Sequence, residues 1–407
     1  MHRALFVAAF DSQLKWCGPI KKEFVERGYT CRVVVPYGRS ALSKSQMIAA
    51  GFDAVEKLSW NEIKHEALKH DVVVISLIGP ALRRFMFELS EAHTKEPRPI
   101  FVTGWVGIII DKMLAGYLDR APCDVVAVNS TEDLSEFENA AKQLGIPTDN
   151  LVLTGLPVLA PTAKIQRSGN IKKVLFADQP TVPSREEERL FVYRKMNEYS
   201  LLHPDRDVIL KPRHRLSEDT LHKMEYHPEL LLKGTKLAPN FSIEYSPISE
   251  IIESVDLLVT MSSTAALEAL SVGTRVSLPL DLGVNERLGN HVFLHSGLLR
   301  TFSQINKDDI GHPEPQWLKS YFFGRKETAF ESIADRCEKL IETGYRPGVD
   351  ILDSVYFKAA LGAHRTLNTL SSSPESQSAL KRKIRKMRSN PSLFFSDAIN
   401  KRKYKFK

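Results

Sequence analysis

Cysteine is scarce in this chain and never closely paired. Cys17, Cys31, Cys123 and Cys337 are scattered over 407 positions with no C-x-x-C spacing. Neither a zinc site nor a disulfide framework is expected, and reduced thiols in a cytoplasmic protein are the default. Long apolar runs are missing too, since no stretch approaches the ~18–20 residues of a membrane span. The N-terminal MHRALFVAAFDSQLKW has only a short apolar run that ends at Asp11, and reads as a first strand rather than a signal peptide. The first turn, AFDSQLKWCG, lacks G-x-G-x-x-G, and no Walker A, H-E-x-x-H or G-x-S-x-G motif occurs. These absences argue against NAD enzymes, P-loop enzymes, metalloproteases and hydrolases. No metal or other cofactor is expected. No repeat of solenoid length is present.

What the chain does have is a composition of 43% hydrophobic and 26% charged residues, that of a soluble globular protein. The length suggests two or three domains. The net charge of +7 is unevenly placed. Residues 381–407 hold eleven Lys or Arg against one Asp, a net of +10, so the rest carries about −3. A basic groove for nucleic acid across the folded body is therefore not expected. In the tail, Ile384, Met387, Leu393, Phe394, Phe395 and Ile399 are interleaved with cations. Such a segment suits an anionic membrane surface on the inner face of the cytoplasmic membrane. The alternatives are a solvated disordered tail or a nonspecific RNA binder.

Hydrophobic patterning predicts an α/β protein. Residues 3–9, 31–36, 71–77, 100–103, 124–129 and 151–154 read as strands, with helices at 14–27, 61–69, 81–92, 108–118 and 131–144. This alternation implies a parallel, doubly wound sheet. The stretch 157–170, with Pro157, Pro161, Ser168 and Gly169, reads as an interdomain linker. A second series follows: strands at 173–177, 207–211, 241–245, 257–260 and 275–280, and helices at 185–202, 248–254, 320–343 and 351–367. The expected organisation is an acceptor domain (1–156), a donor domain (171–345), a helical region (346–370) and a basic tail (371–407).

Ligands of such sheets bind beyond the carboxyl ends of the strands. The most informative segment is VDLLVTMSSTAALEALSVGTRV, residues 255–276, where a buried strand runs through Ser262, Ser263 and Thr264 into a helix. Hydroxyls beside free helix N–H groups suit a phosphate, although Ser263 or Thr264 could simply cap the helix. Lys211, Arg213, His214 and Arg215 follow another strand, read as a neighbour of the first. They could hold a phosphodiester, with His214 protonating the leaving phosphate, or the arginines could pair with surface carboxylates. Glu268 could accept ribose hydroxyls or be a solvated helix residue. Gln179, after a further strand, could line the same crevice. In the first half, Asp11 could take a proton from an acceptor hydroxyl or cap the following helix. Ser12, Lys15, Gly104 and Trp105 are candidate acceptor contacts, with Gly104 and Gly107 admitting close approach.

The segments LFVAAFDSQLKW, FADQPTVPSREEERL, VILKPRHR and TMSSTAALEALSVGTRV resemble an uncharacterised family of bacterial glycosyltransferases with the two-Rossmann-domain GT-B architecture. The tail segment KIRKMRSNPSLFFSDA resembles the C-terminal extension of capsule and surface-polysaccharide transferases. Ser262-Ser263 and KPRHR are similar to elements of bacterial sialyltransferases and Kdo transferases. That resemblance implies a metal-independent enzyme using a CMP-linked acidic sugar, a nonulosonate or Kdo. Its roles would fall on Asp11 as base and on His214, Ser262 and Ser263 at the phosphate. The usual His-Pro order is replaced by Lys211-Pro212-Arg213-His214. The implied partners are a nucleotide sugar and a glycan or lipid-linked glycan. A UDP- or GDP-sugar transferase, a CDP-polyol phosphotransferase and a noncatalytic nucleotide- or glycan-binding partner are the competing expectations.

Overall fold

A computed structural model describes residues 2–37, 47–48, 50–52, 55–92, 98–159, 162–218, 224–324 and 327–371. The expected membrane-binding tail, 381–407, lies outside the described residues, as do Pro161 in the linker and 372–377 beyond it. The first sheet contains seven strands: β1 (Arg3–Ala8), β2 (Thr30–Pro36), β3 (Glu56–Leu58), β4 (Val72–Ser76), β5 (Ile100–Gly104), β6 (Val125–Val128) and β7 (Leu151–Leu153). Their order is β3-β2-β1-β4-β5-β6-β7 and every pairing is parallel. Strands such as VVVIS in β4 are buried along their whole length. Helices cover both faces of such a sheet, so no solvent-facing alternation remains.

The second sheet repeats this logic with β8 (Lys173–Ala177), β9 (Asp207–Lys211), β10 (Phe241–Ile243), β11 (Leu257–Val259), β12 (Arg275–Pro279) and β13 (Leu299–Arg300). Its order is β10-β9-β8-β11-β12-β13, again parallel. In each sheet the connection reverses direction beside the first strand. Phe6 of β1 stands between Val33 and Val74, and Leu175 of β8 between Ile209 and Leu258. The crevices where an open α/β sheet binds ligands thus lie between β1 and β4 and between β8 and β11. The KPRHR loop follows β9, and β8 separates it from the strand leading to Ser262, so the two are not neighbours as expected. Two short strands, β3 and β13, also carried no readable pattern.

Helices that position the cleft are α1 (Asp11–Glu26), α2 (Trp60–Ala67), α3 (Gly79–Ala92), α4 (Met113–Arg120), α5 (Thr131–Leu144), α6 (Glu186–Leu202) and α7 (Ala265–Ser271). The expected helix at 108–118 starts late, at Met113. Residues 105–112 instead form a loop held by Asn129, whose amide donates to Gly107 O at 2.8 Å. Ile108 in that loop packs against the core beneath the second sheet, and this tertiary burial overrides its local helical pattern.

The expected helix at 320–343 is two helices, α8 (Pro315–Tyr321) and α9 (Ala329–Thr343), split near Gly324. Thr328 and Glu331 form a capping box that starts α9. Its buried Ile333, Ala334, Cys337 and Leu340 join the core of the first sheet, so the chain returns to that domain after completing the second. Arg27, just past the end of α1, pairs with Asp335 and Glu338 on α9 at 2.6 and 2.7 Å. Both sheets belong to one compact unit that runs to Ile351, while the last helix, α10 (Val355–Ser371), belongs to another. Among the described residues no helix is long and apolar enough to cross a membrane.

Candidate active site

Between the carboxyl ends of the two sheets lies a cleft of about 1460 Å³. Ser12, Lys15, Gly104 and Trp105 line one wall, and Gln179, Arg213, Ser263, Thr264 and Glu268 line the other. Asp11 opens α1 directly after β1, where a carboxylate favours the helix N-terminus. The end of β1 is braced by Gln13, whose Oε1 accepts from Ala9 N at 2.8 Å.

Asp11 faces the other domain. Arg213 Nη2 donates to its Oδ2 at 2.7 Å, with the two side chains 21% and 46% exposed for Asp11 and Arg213 respectively. Burial alone would raise the Asp11 pKa, but Arg213, the Ser12 amide and Lys15 together draw it below the ordinary carboxylate value. Lys15 is an exposed residue overall, yet it lines the cleft. Partial burial of its ammonium and the charge of Arg213 lower its pKa, against the pull of Asp11 and Glu268. Glu268 is half-buried; desolvation raises its pKa, and Lys15 and Arg213 oppose that rise. Two cations and two carboxylates from opposite domains therefore face one another, with the Lys211 ammonium close enough to Arg213 and Lys15 to feel their charge.

On the second sheet Gln179 follows β8 and Ser262 follows β11, so the two meet across the reversal point. Ser262 N donates to Gln179 Oε1 at 2.9 Å, and Ser262 Oγ donates to Leu288 O at 2.7 Å. Ser262 is buried by these bonds, leaving Ser263 and Thr264 to face the cleft. Ser263 Oγ accepts from Ala265 N at 3.2 Å, a local cap. Thr264 Oγ1 accepts from Ile108 N at 3.2 Å and so ties the domains together. The close approach needs a glycine: a Cβ on Gly107 would stand 2.6 Å from Thr264 Oγ1. Gly104 is likewise required, since a Cβ there would meet Trp16 at 2.7 Å, a packing contact within its own domain.

The remaining candidates play supporting roles in the geometry. His214 is buried with both ring nitrogens engaged: Nε2 accepts from Met224 N at 3.0 Å and Nδ1 lies 2.8 Å from Arg215 O. Its ring is not among the groups facing the cleft, and it braces the loop that presents Arg213. Arg215 turns away to lie over the Tyr245 ring at 4.5 Å. Lys211 is half-buried, and burial followed by the charges of Arg213 and Lys15 lowers its pKa to about 8. Trp105 is buried between Phe137, stacked at 5.0 Å, and the guanidinium of Arg120 at 4.4 Å.

Two contributors escaped sequence reasoning. Arg189 on α6 is buried, and its Nη1 donates to both Asp178 oxygens at 3.0 and 3.1 Å, while its Nη2 donates to Gln179 O at 2.5 Å. Tyr193 completes this network at 2.5 Å from Asp178. Together they fix the loop that aims Gln179. Arg120 is the other, because nothing in its helical surroundings marks a cleft residue. Among the described residues no cluster of His, Cys, Asp and Glu is arranged to hold a metal.

A protein-family model described as "Putative glycosyltransferase (DUF6716)" matches residues 4–340. The chain belongs to this glycosyltransferase family. No curated protein sequence matches it. Solved structures with a similar fold include a "putative UDP-N-acetylglucosamine 2-epimerase from Listeria monocytogenes", at 13% identity and a TM-score of 0.56, covering 85% of this chain and 98% of that one. The S. aureus MnaA–UDP structure matches at 14% and 0.54, over 84% and 97% of the two chains. UGT89C1 of Arabidopsis thaliana, complexed with UDP, matches at 10% and 0.52, over 84% and 100%. At these identities the likeness concerns the fold, which is GT-B: two Rossmann-like domains facing a cleft, as the family resemblance implied. The family places glycosyl transfer in this molecule. The resemblance to sialyltransferases and Kdo transferases has no counterpart among these matches.

Proposed function

We propose that this protein transfers a sugar from a UDP-sugar to a hydroxyl of a glycan or lipid-linked glycan, in bacterial surface-polysaccharide synthesis. The observation that carries the reading is the pairing of Asp11 with Arg213 across the cleft at 2.7 Å. It puts a carboxylate from one domain and a partly exposed cation from the other at a single point. A partly exposed ion pair of this kind contributes about 0.2–1 kcal/mol, so a donor phosphate can readily compete for Arg213. Once Arg213 turns to the phosphate, Asp11 loses its main counter-charge and becomes the stronger base.

The step is then a displacement at the anomeric carbon. The acceptor hydroxyl forms the new C–O bond and gives its proton to Asp11. The bond from the anomeric carbon to the phosphate oxygen breaks, and the nucleotide leaves with that electron pair beside Arg213. Ser263 and Thr264 are the hydroxyls placed to contact the phosphate, and Glu268 the carboxylate placed for ribose. No metal has a role in this assignment.

The uracil nucleotide is preferred on two grounds. Two proteins of the same fold are solved with UDP. An acidic CMP-linked donor is motivated by an excess of cations, yet two of the cations grouped here, Arg213 and Lys15, are offset by Asp11 and Glu268. Isothermal titration with UDP, GDP and CMP tests the donor. UDP is expected to bind tightest, and tightest binding by CMP would return the reading to a nonulosonate or Kdo donor. Asp11→Asn should retain UDP affinity and lose about 10²–10⁴-fold in turnover, followed as nucleotide release from the donor. Unchanged turnover in that variant removes Asp11 from the mechanism, and failure of all three nucleotides to bind removes the enzyme reading.

A further inference from the structure

Arg120 ends α4 and is only 7% exposed, yet it lines the cleft. Its Nε donates to Gly104 O at 2.9 Å and its Nη1 to Gly116 O at 3.0 Å. Nη2 has no hydrogen-bond partner among the described residues, and no carboxylate there lies within ion-pair distance of the guanidinium. The adjacent Asp119 is already committed: it pairs with Arg83 at 3.2 Å and sits against the start of α3, within 2.3 Å of where a Cβ on Gly79 would be. Asp119 therefore acts on Arg120 only from a distance, and a buried cation with no direct ion pair is an expensive arrangement. Here desolvation lowers the pKa to about 10, and the group remains charged at neutral pH. The Trp105 ring at 4.4 Å offsets part of the lost hydration and holds the guanidinium plane in place. Arg213 and Lys15, by contrast, each have Asp11 or Glu268 to offset their charge.

Arginine with its fork partly free and its plane fixed is suited to planar or tetrahedral oxyanions. The carbonyl of Gly104 that Arg120 holds belongs to β5, on the wall opposite the Ser263–Thr264 turn. We propose that Arg120, seated against Trp105 at the carboxyl end of β5, binds an oxyanion, a phosphate or carboxylate, carried by the acceptor substrate. This rests on the reading of the cleft as the site of glycosyl transfer, with the nucleotide on the second domain.

The test is a tryptophan-fluorescence titration of the full chain in saturating UDP, which keeps the probes out of the nucleotide site. The probes are glucose 6-phosphate, glucuronic acid and glucose, so that phosphate, carboxylate and neutral arms are separated. At least one charged sugar is expected to bind about tenfold or more tightly than glucose, the worth of one charge-assisted contact. In Arg120→Met that preference should fall to within about twofold, with UDP affinity unchanged. Equal binding of the three sugars to the unmutated protein, or no binding of either charged one, overturns the proposal without recourse to any variant. Preference that survives in Arg120→Met overturns it as well, and so does a loss of UDP affinity in a folded Arg120→Met protein, which would assign Arg120 to the donor. Failure of the unmutated protein to bind UDP is a separate result, and counts against the donor assignment rather than against Arg120.

Discussion

At the scale of single residues, partners rather than residue types separate the roles. His214 has the chemistry of a general acid, but both its ring nitrogens are spent on the main chain of its own loop. Removing the ring strands a buried N–H and a carbonyl, which costs about 1–3 kcal/mol. His214→Ala should therefore lower the unfolding midpoint and raise the donor KM through Arg213, with kcat and its pH profile little changed. A fall in kcat of a hundredfold at unchanged stability would make His214 the acid after all. Lys211 gives a pH signature. Its pKa is about 8 in the fold, against ~10.4 in an unfolded chain. Below pH 8 both states are protonated and the penalty of burying the charge is fully present. As the pH rises from 8 towards 10.4 the folded state releases its proton first, so stability increases, by on the order of 2–3 kcal/mol. Denaturant unfolding at pH 7 and pH 10 checks this. Lys211→Met should be more stable than the unmutated protein at pH 7 and should lack this part of the rise.

At the scale of elements, the loop after β5 and the turn before α7 form the junction that shapes the cleft. Gly107 and Thr264 are close enough that a single added methyl must displace one of them. Gly107→Ala is expected to destabilise by about 1–3 kcal/mol, as overpacking does. Combining it with Thr264→Ala should cost less than the sum of the two single changes, because the clash is removed along with the hydroxyl. Strict additivity in a chemical-denaturation cycle would show that the two do not meet. The same junction explains why the helix expected at 108–118 begins at Met113. Residues 108–110 carry a helical apolar pattern, but their burial is against the other domain. The split of 320–343 has a similar origin, for Thr328 with Glu331 restarts a helix whose apolar face belongs to the first sheet.

At the scale of the whole molecule, the reversal points of two parallel sheets face one another and the cleft follows from that. For the basic tail the sequence-based expectation is binding to an anionic membrane surface, and it can be tested apart from the cleft. Each Lys or Arg held near an anionic surface contributes about 1 kcal/mol, screened within a Debye length of ~10 Å at 0.1 M salt. Deleting residues 381–407 is expected to abolish sedimentation with phosphatidylglycerol vesicles while leaving UDP affinity intact, and high salt should release the full-length protein. Equal vesicle binding with and without the tail would remove this membrane role.

Much of this architecture is written locally. Buried parallel strands need continuous apolar runs such as VVVIS, and crossover helices need their 3.6-residue stripes, so the βα alternation and the strand-end loops bearing Asp11, Gln179, Arg213 and Ser262 could be read in order along the chain. Sequence could not state which loops adjoin, because strand order depends on pairing between distant segments. The assumption that KPRHR neighbours the Ser262 strand failed for that reason: β8 lies between them and brings Gln179 instead. Nor could it say which charges balance which, since Asp11 and Arg213 are 202 residues apart in the chain yet 2.7 Å apart in space. Arg120 is the clearest case. Along the chain it is an ordinary cation at the end of a helix beside an acid. Only folding pairs that acid with Arg83, buries the guanidinium against Trp105, and leaves it lining the cleft without a direct ion pair.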